Sequence, residues 1–428
     1  MQESSNVLVV SAGFRPELLE TPRKMGLRVA LVDERPPADG ALYDDFLPAS
    51  ATDEDAVVHA VKRYLDDGGR VDAVACVFDG SIHAAAAVCD ELGLPGNSRE
   101  AVRNMRDKYR SWQVLSAAGL PVPLTALATS EAEAVAAGER IGYPLVMKPQ
   151  ASAASQGVVK VNDRDALVAG YRMIAGLFTE ATFGAGDTAV PNVGSLLFYP
   201  GAHGVLLQEY VEGFELSLDV VYTEDAHTFL GYIDKPQVWA EPYFAETVFV
   251  SPTHLPAATQ RELEDITVRA LRASGATVGA AHVEFRISPA GPKIIEVNGR
   301  IGGPSLFVQE SLHLAGGVWG PEQYFSAVTG RGITAPTHPT TTGHAGFTSV
   351  PVVGTGRIAR FEGEAEVRAM PGVRDIRWVM REGQYVPEGF PRNPSVMFAH
   401  ILATGPTHAG LADTLTRAQQ TLRAVMEP

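Results

Sequence analysis

The stretch from His282 to Gly303 restricts this chain more than any other, because it sets two carboxylates into strand-like alternation around one short turn. In His282-Val-Glu284-Phe-Arg286-Ile, Val283 and Phe285 share one face and His282, Glu284 and Arg286 the other. In Lys293-Ile-Ile-Glu296-Val-Asn298-Gly-Arg300-Ile-Gly302-Gly303 the pattern repeats, with Ile295 and Val297 opposing Glu296 and Asn298. The link Ser288-Pro-Ala-Gly-Pro292 consists of turn formers, so the two runs predict an antiparallel hairpin. Centred on Ala290, it places Glu284 across from Glu296 and His282 across from Asn298.

Like charges held opposite one another, at about 5 Å between Cβ atoms, destabilise a sheet unless something between them offsets the repulsion. A divalent cation does so. Carboxylate and amide oxygens without Cys or clustered His suit a hard ion such as Mg²⁺, which keeps positions for water and substrate phosphates. Beyond Glu296, Arg300 adds a planar cation suited to carboxylate or phosphate. The set reads as a nucleotide-triphosphate site without a P-loop. Its alternative is a solvent-facing hairpin whose acids pair with Arg286, Lys293 and Arg300.

A chain of 428 residues is long enough for two or three domains. Its formal charge of −15 argues against a nucleic-acid-binding surface, although a local basic pocket stays open. No run of 18 apolar residues and no secretory start is seen, so a cytosolic protein is expected. Cys76 and Cys89 are too few for a disulfide framework and read as buried thiols.

Along the chain, strands at Asn6–Val10, Arg28–Asp33 and Ala73–Phe78 alternate with helical segments, which predicts a parallel α/β sheet. No G-x-G-x-x-G follows the first strand, but Asp79 ends a strand at the usual ligand crevice, to cap a helix or to bind an ammonium group. A single charged helix is expected from Arg99 to about Ala118, with Lys108 at its centre. Lys148 closes the apolar strand Tyr143-Pro-Leu-Val-Met-Lys148-Pro149, where its charge is costly unless it meets an anion. The small-residue loop Ala151 to Gly157 suits backbone contact with phosphates. Residues 179–204 form a long stretch without a clear period, either a lid or an oligomer contact. Gln208-Glu-Tyr-Val-Glu-Gly213 is a strand running into a polar corner, where backbone groups can bond an adenine edge. A closing helix is read from His408 to Val425.

Taken together, Lys108, the strand ending Lys148-Pro149, the loop through Gly157, the Gln208 hinge, Glu284 and the run Glu296 to Gly303 resemble the ATP-grasp superfamily, from about Val7 to Leu402. Within it the chain looks most like the L-amino-acid ligases, which join two amino acids into a dipeptide. The resemblance implies an α/β, three-lobed ATP-grasp fold. A Rossmann-like N-terminal domain would occupy 1–98, a connecting helix and linker 99–125, a small lid subdomain 126–210, and a large subdomain with a C-terminal mixed-sheet lobe 211–428.

The implied roles follow the matching positions. Lys108, Lys148, Ser155 and Gly157 would hold ATP phosphates; Gln208, Glu209 and Val211 would border adenine, and Glu215 the ribose. Glu284, Glu296 and Asn298 would hold Mg²⁺, with Mn²⁺ as a substitute. Arg300 would neutralise the transferred phosphate and the tetrahedral intermediate, and Asp79, Glu246, His282, Arg300, Gly302, Gly303 and Pro304 would contact the amino-acid substrates. The implied reaction forms an acyl phosphate and ADP, then an amide and phosphate. Its general base is unnamed, with Glu246, Asp79 and His282 as candidates; for His282 the structural hydrogen-bonding role is favoured. The small residues Pro304 and Ser305 lead us to expect an acid-donating amino acid larger than alanine. A homodimer is also implied, with neither nucleic acid nor membrane as partner. Competing readings are a biotin-carboxylase-like or purine-pathway enzyme of the same superfamily, and a non-catalytic ATP-binding regulatory protein.

Overall fold

The computed structural model describes residues 5–11, 16–152, 155–179, 204–236, 238–239, 242–303, 306–386 and 396–427. Pro304, Ser305 and most of the 179–204 stretch lie outside them. Strands β1 (Asn6–Val10), β2 (Arg28–Asp33), β3 (Asp45–Pro48) and β4 (Ala73–Cys76) form a parallel sheet in the order β3-β2-β1-β4. Their apolar runs are buried because helices cover both faces, as parallel sheets require. Helix Glu54–Asp66 starts at Asp53, whose carboxylate accepts from Ala56 N, and helix Ile82–Leu92 ends at Gly93 in the left-handed region at φ 63°.

Strands β5 (Thr125–Ala128), β6 (Leu145–Pro149), β7 (Val159–Val161) and β8 (Val205–Glu209) make a second, antiparallel sheet in the order β5-β8-β6-β7. The remaining strands are β9 (Phe214–Tyr222), β10 (His227–Lys235), β11 (Val238–Trp239), β12 (Ala245–Glu246), β13 (Val248–Ser251), β14 (Gly279–Ser288), β15 (Gly291–Asn298), β16 (His344–Pro351), β17 (Gly356–Glu362), β18 (Val373–Trp378), β19 (Tyr385–Val386), β20 (Met397–Gly405) and β21 (Arg423–Met426). Eight of these build one large sheet, β15-β14-β9-β10-β13-β16-β20-β18.

One apolar core joins the parallel sheet to the large one, running from Val7, Val9 and Leu31 to Phe307, Phe325 and Phe347. Tyr324 clasps the junction. Its hydroxyl donates to Cys76 O at 2.9 Å and accepts from Cys76 N at 2.8 Å, which fixes the end of β4 against helix Gly320–Val328. Both cysteines are free and buried, and burial pushes the Cys89 thiol up to about 12.

Three expectations are corrected. The charged helix is two helices, Arg99–Arg106 and Lys108–Ala117, because the Asp107 carboxylate accepts from Tyr109 N and Arg110 N and starts a new helix there. The closing helix stops at Thr421, and Arg423–Met426 instead pairs with β17 as a strand. In the hairpin, β14 and β15 close over two residues, Pro289 and Ala290, with Ser288 paired to Gly291. A bulge after Glu284 then shifts the register by one, so that Ile294 and Val297 enter the core and Ile295 does not.

Candidate active site

The bulge has a functional consequence: it restores Glu284 opposite Glu296 and His282 opposite Asn298. Each acid meets a lysine brought by another segment. Lys108, at the first turn of its helix, places Nζ 2.7 Å from Glu296 Oε1 and donates to Ser152 O at 2.7 Å. The Asp107 cap that splits the helix therefore also aims Lys108 at the hairpin. Lys235, the last residue of β10, places Nζ 3.3 Å from Glu284 Oε1, 3.1 Å from Glu215 Oε1 and 2.7 Å from Glu246 Oε2. Burial alone would lower the Lys235 amine, but the charges of Glu246, Glu284 and Glu215 outweigh it and hold it well above its ordinary value.

The carboxyls around Lys235 share this charge unequally. Burial raises Glu246 well above the usual carboxylate range, since Lys235 is opposed there by Glu215 and Glu284, and its carboxyl hydrogen-bonds Glu215. Glu284 goes the other way, because Lys235 and His282 overcome its burial and hold it well below that range. Glu284 thus presents an ionised carboxylate across from Glu296. Together with Asn298, whose Nδ2 donates to His282 O at 3.4 Å, these hard oxygen donors fit Mg²⁺.

Lys148 is buried on β6, and together with Lys108, Gln208, Ile294, Ile295 and Glu296 it lines one pocket. Burial and the neighbouring Lys108 charge lower its amine, against the pull of Glu296, Glu284 and Glu215. Among the described residues no carboxylate lies within ion-pair distance of it, which suits a lysine that meets an anionic ligand. Beside it the loop turns sharply: Ser155 takes φ 57° and Gly157 φ 71°, and a Cβ at Gly157 would lie 2.8 Å from Pro149 Cγ.

The hinge residues are placed differently from one another. Gln208 is buried and donates to Thr125 Oγ1 at 3.1 Å. Glu209 holds each carboxylate oxygen 2.8 Å from Lys293 Nζ, and Oε2 also accepts from Leu124 N at 3.0 Å. Val211 is buried. Glu215 reaches both Lys235 and Arg286, and the latter stacks 5.4 Å above the Tyr210 ring.

On the opposite side, Arg300 Nε donates to Asp79 Oδ2 at 2.5 Å and Nη1 to Ile301 O at 3.0 Å. Burial would lower the guanidinium, but Asp79, Glu296 and Glu284 raise it. Below it His282 Nδ1 lies 2.5 Å from Asp219 Oδ1, and Asp219 Oδ2 accepts from Gly302 N at 2.9 Å and Gln309 Nε2 at 2.6 Å. A Cβ on Gly302 would sit 2.2 Å from His282 Nδ1, so only glycine passes there. Gly303 adopts φ 92°, a conformation that glycine accepts without strain.

The structure thus gathers Lys108, Lys148, Glu284, Glu296 and Asn298, and places Arg300 with Asp79. Glu246, read from the sequence as a substrate contact, belongs to the Lys235 cluster. Lys235, Asp219 and Gln309 were not identified as site residues. For Lys235 a signal existed: Ile-Asp-Lys235-Pro236 closes a strand just as Val-Met-Lys148-Pro149 does. For Asp219 the signal was a lone acid inside the apolar run Leu218 to Val221.

Comparison with known proteins gives this geometry a family. Residues 19–96 match an ATP-grasp N-terminal domain, 97–184 and 141–306 match ATP-grasp domains, and 350–427 match L-amino acid ligase C-terminal domain 2. Carnosine synthase 1 of Gallus gallus is 30% identical over 342 residues, covering 76% of this chain and 35% of that protein. The chain therefore spans about a third of the length of that relative. A D-alanine–D-alanine ligase of Ectopseudomonas mendocina is 28% identical over 230 residues, 51% of this chain and 63% of that one. The crystal structure of L-amino acid ligase from Bacillus licheniformis superposes with a TM-score of 0.81 over 100% of both chains at 20% identity, a likeness of fold. With these domains in this order around a paired-acid hairpin and a clamped arginine, the chain belongs to the ATP-grasp superfamily.

Proposed function

We propose that this protein uses ATP to join an amino-acid carboxylate to the amine of a second amino acid, through an acyl phosphate, with release of ADP and phosphate. The observation that carries the reading is the cross-strand pair Glu284 and Glu296, flanked by Lys108 and Lys148 and faced by Arg300. Support also comes from relatives whose names describe ligases of amino acids.

In this reading Glu284, Glu296 and Asn298 hold Mg²⁺, which would draw charge from the phosphates when bound. Lys148 and Lys108 neutralise the phosphate oxygens, and the backbone around Ser155 and Gly157 closes over them. Arg300, kept charged and oriented by Asp79, faces the γ-phosphate as the substrate carboxylate attacks it, and stays beside the tetrahedral centre when the amine displaces phosphate. Gly302 lets its own backbone lie against the floor formed by His282 and Asp219. Catalysis is then mainly positioning and electrostatics. The boundaries 1–98, 99–125, 126–210 and 211–428 are proposed as the domain divisions of this machine, and a homodimer as its assembly.

Phosphate release with amino-acid mixtures, followed by mass spectrometry of the product, tests the reading. Turnover that requires two amino acids and yields a dipeptide mass is expected. Dependence on bicarbonate instead, or no turnover in any mixture, would overturn it.

A further inference from the structure

Directly before Lys235 stands Asp234, and strand alternation sends its side chain to the other face of the large sheet, behind the nucleotide site. There it is fully buried, and two imidazoles from distant segments converge on one of its oxygens. His254 Nδ1 lies 2.7 Å and His408 Nε2 2.9 Å from Asp234 Oδ2, and His254 N donates to the same oxygen at 3.2 Å. The two rings stand edge to face, 5.2 Å apart. All three ligand-capable atoms lie within 4.8 Å of one another.

We propose that Asp234, His254 and His408 form a binding site for a borderline transition-metal ion of the Zn²⁺ class, separate from the Mg²⁺–nucleotide site. Two imidazoles and one carboxylate are a donor set found at three-ligand zinc centres, where a water takes the remaining position. A hard ion such as Mg²⁺ prefers all-oxygen ligands and is not selected by this set.

A second observation points the same way. Asp234 Oδ1 is buried and, among the described residues, has no hydrogen-bond partner, while Oδ2 carries three. Leaving a buried acceptor unsatisfied costs about 1–3 kcal/mol. A cation held in the mouth of the carboxylate would engage both oxygens and replace the ring contacts now made to Oδ2.

The three ligands come from β10, from the loop after β13, and from the first turn of helix His408–Thr421. The ion would therefore pin the C-terminal helix to the strand that carries Lys235. Its role is to brace the sheet end rather than to take part in the reaction.

Full-length protein stripped with chelator, saturated with Mg²⁺ and then equilibrated with Zn²⁺ tests this site. The wild type should retain a zinc ion per chain through gel filtration and gain several degrees of melting temperature. His254→Ala and His408→Ala should each lose that ion and that gain. The His254 ring is half exposed, and circular dichroism checks the fold of both variants. Co²⁺ in place of Zn²⁺ should give a visible ligand-field absorption in the wild type alone. Absence of zinc from the wild type, or equal retention in both variants, would overturn the proposal and leave the trio as a hydrogen-bonded clamp.

Discussion

Asp79 and Arg300 stand 221 positions apart in the chain, yet the carboxylate at the end of the parallel sheet accepts a 2.5 Å hydrogen bond from the guanidinium beside the acidic hairpin. The core shared by the two sheets, with Tyr324 fastened to Cys76, fixes this span. In the proposed reaction Asp79 would act through Arg300 as a positioning residue. Asp79→Asn should lower kcat about 10–100-fold with little change in KM for ATP, equivalent to roughly 1.4–2.7 kcal/mol of transition-state stabilisation. Arg300→Ala should cost more, and the double variant no more than Arg300→Ala alone. Independent, additive losses in steady-state kinetics would show that the two residues do not act as a unit.

Glu296 tests the metal reading. Glu296→Gln keeps an oxygen within reach of Lys108 Nζ, now 2.7 Å away, so the fold should survive with an unchanged circular dichroism spectrum. The charge that offsets Mg²⁺ is lost. Turnover should fall by about 100-fold or more, and higher Mg²⁺ should recover part of it. Wild-type rates and an unaltered Mg²⁺ titration would remove Glu296 from the site.

How legible this site was in the sequence differs from residue to residue. Strand alternation placed Glu284 opposite Glu296, but partly by compensation: the turn closes earlier than a centre on Ala290, and the bulge near Ile295 returns the register. Local periodicity carries no signal for such a bulge, so strict alternation puts Ile295 on the wrong face. The break at Asp107 is hidden because a charged helical pattern continues across it, and only the side-chain cap shows that the backbone restarts. Lys235 offered the same strand-ending pattern as Lys148. Its importance depends on three carboxylates from β9, β12 and β14, a convergence no local window contains. The parallel sheet and most element boundaries were readable because they rest on short-range apolar runs, as at Asn6–Val10 and Ala257–Ser274.

Gly302 shows how closely the floor is packed. Its N–H donates to Asp219 Oδ2, and a methyl group there would lie 2.2 Å from His282 Nδ1 and 2.7 Å from Asp219 Oδ1. Gly302→Ala should force His282 and Asp219 apart and cost about 2–4 kcal/mol, combining overpacking with a broken buried hydrogen bond. Chemical denaturation measures the loss. A variant as stable as the wild type would mean that this floor yields easily.

A last prediction concerns pH and rests on His400, buried against Phe307 and Phe347 and 2.9 Å from Ser349 Oγ through Nδ1. Burial, aided by the Arg377 charge, lowers its imidazole from 6.5 to about 4. Between these values the unfolded chain binds a proton that the native ring refuses, so stability is complete above pH 6.5 and drains away as pH falls toward 4. The full loss is roughly 3 kcal/mol. His83, lowered to about 3 by burial and by Arg106, acts in the same direction and extends it to lower pH. Glu246, with its raised value, opposes both, because the unfolded chain sheds a proton above 4.5 that the native carboxyl keeps. The informative quantity is therefore the difference between the wild type and His400→Gln, in which these other groups cancel. Measured by urea denaturation from pH 7 down to pH 4, it should move by roughly 3 kcal/mol in favour of the variant as acid is added. A difference that stays flat across this window would mean that the native protein protonates His400 as readily as the unfolded chain does.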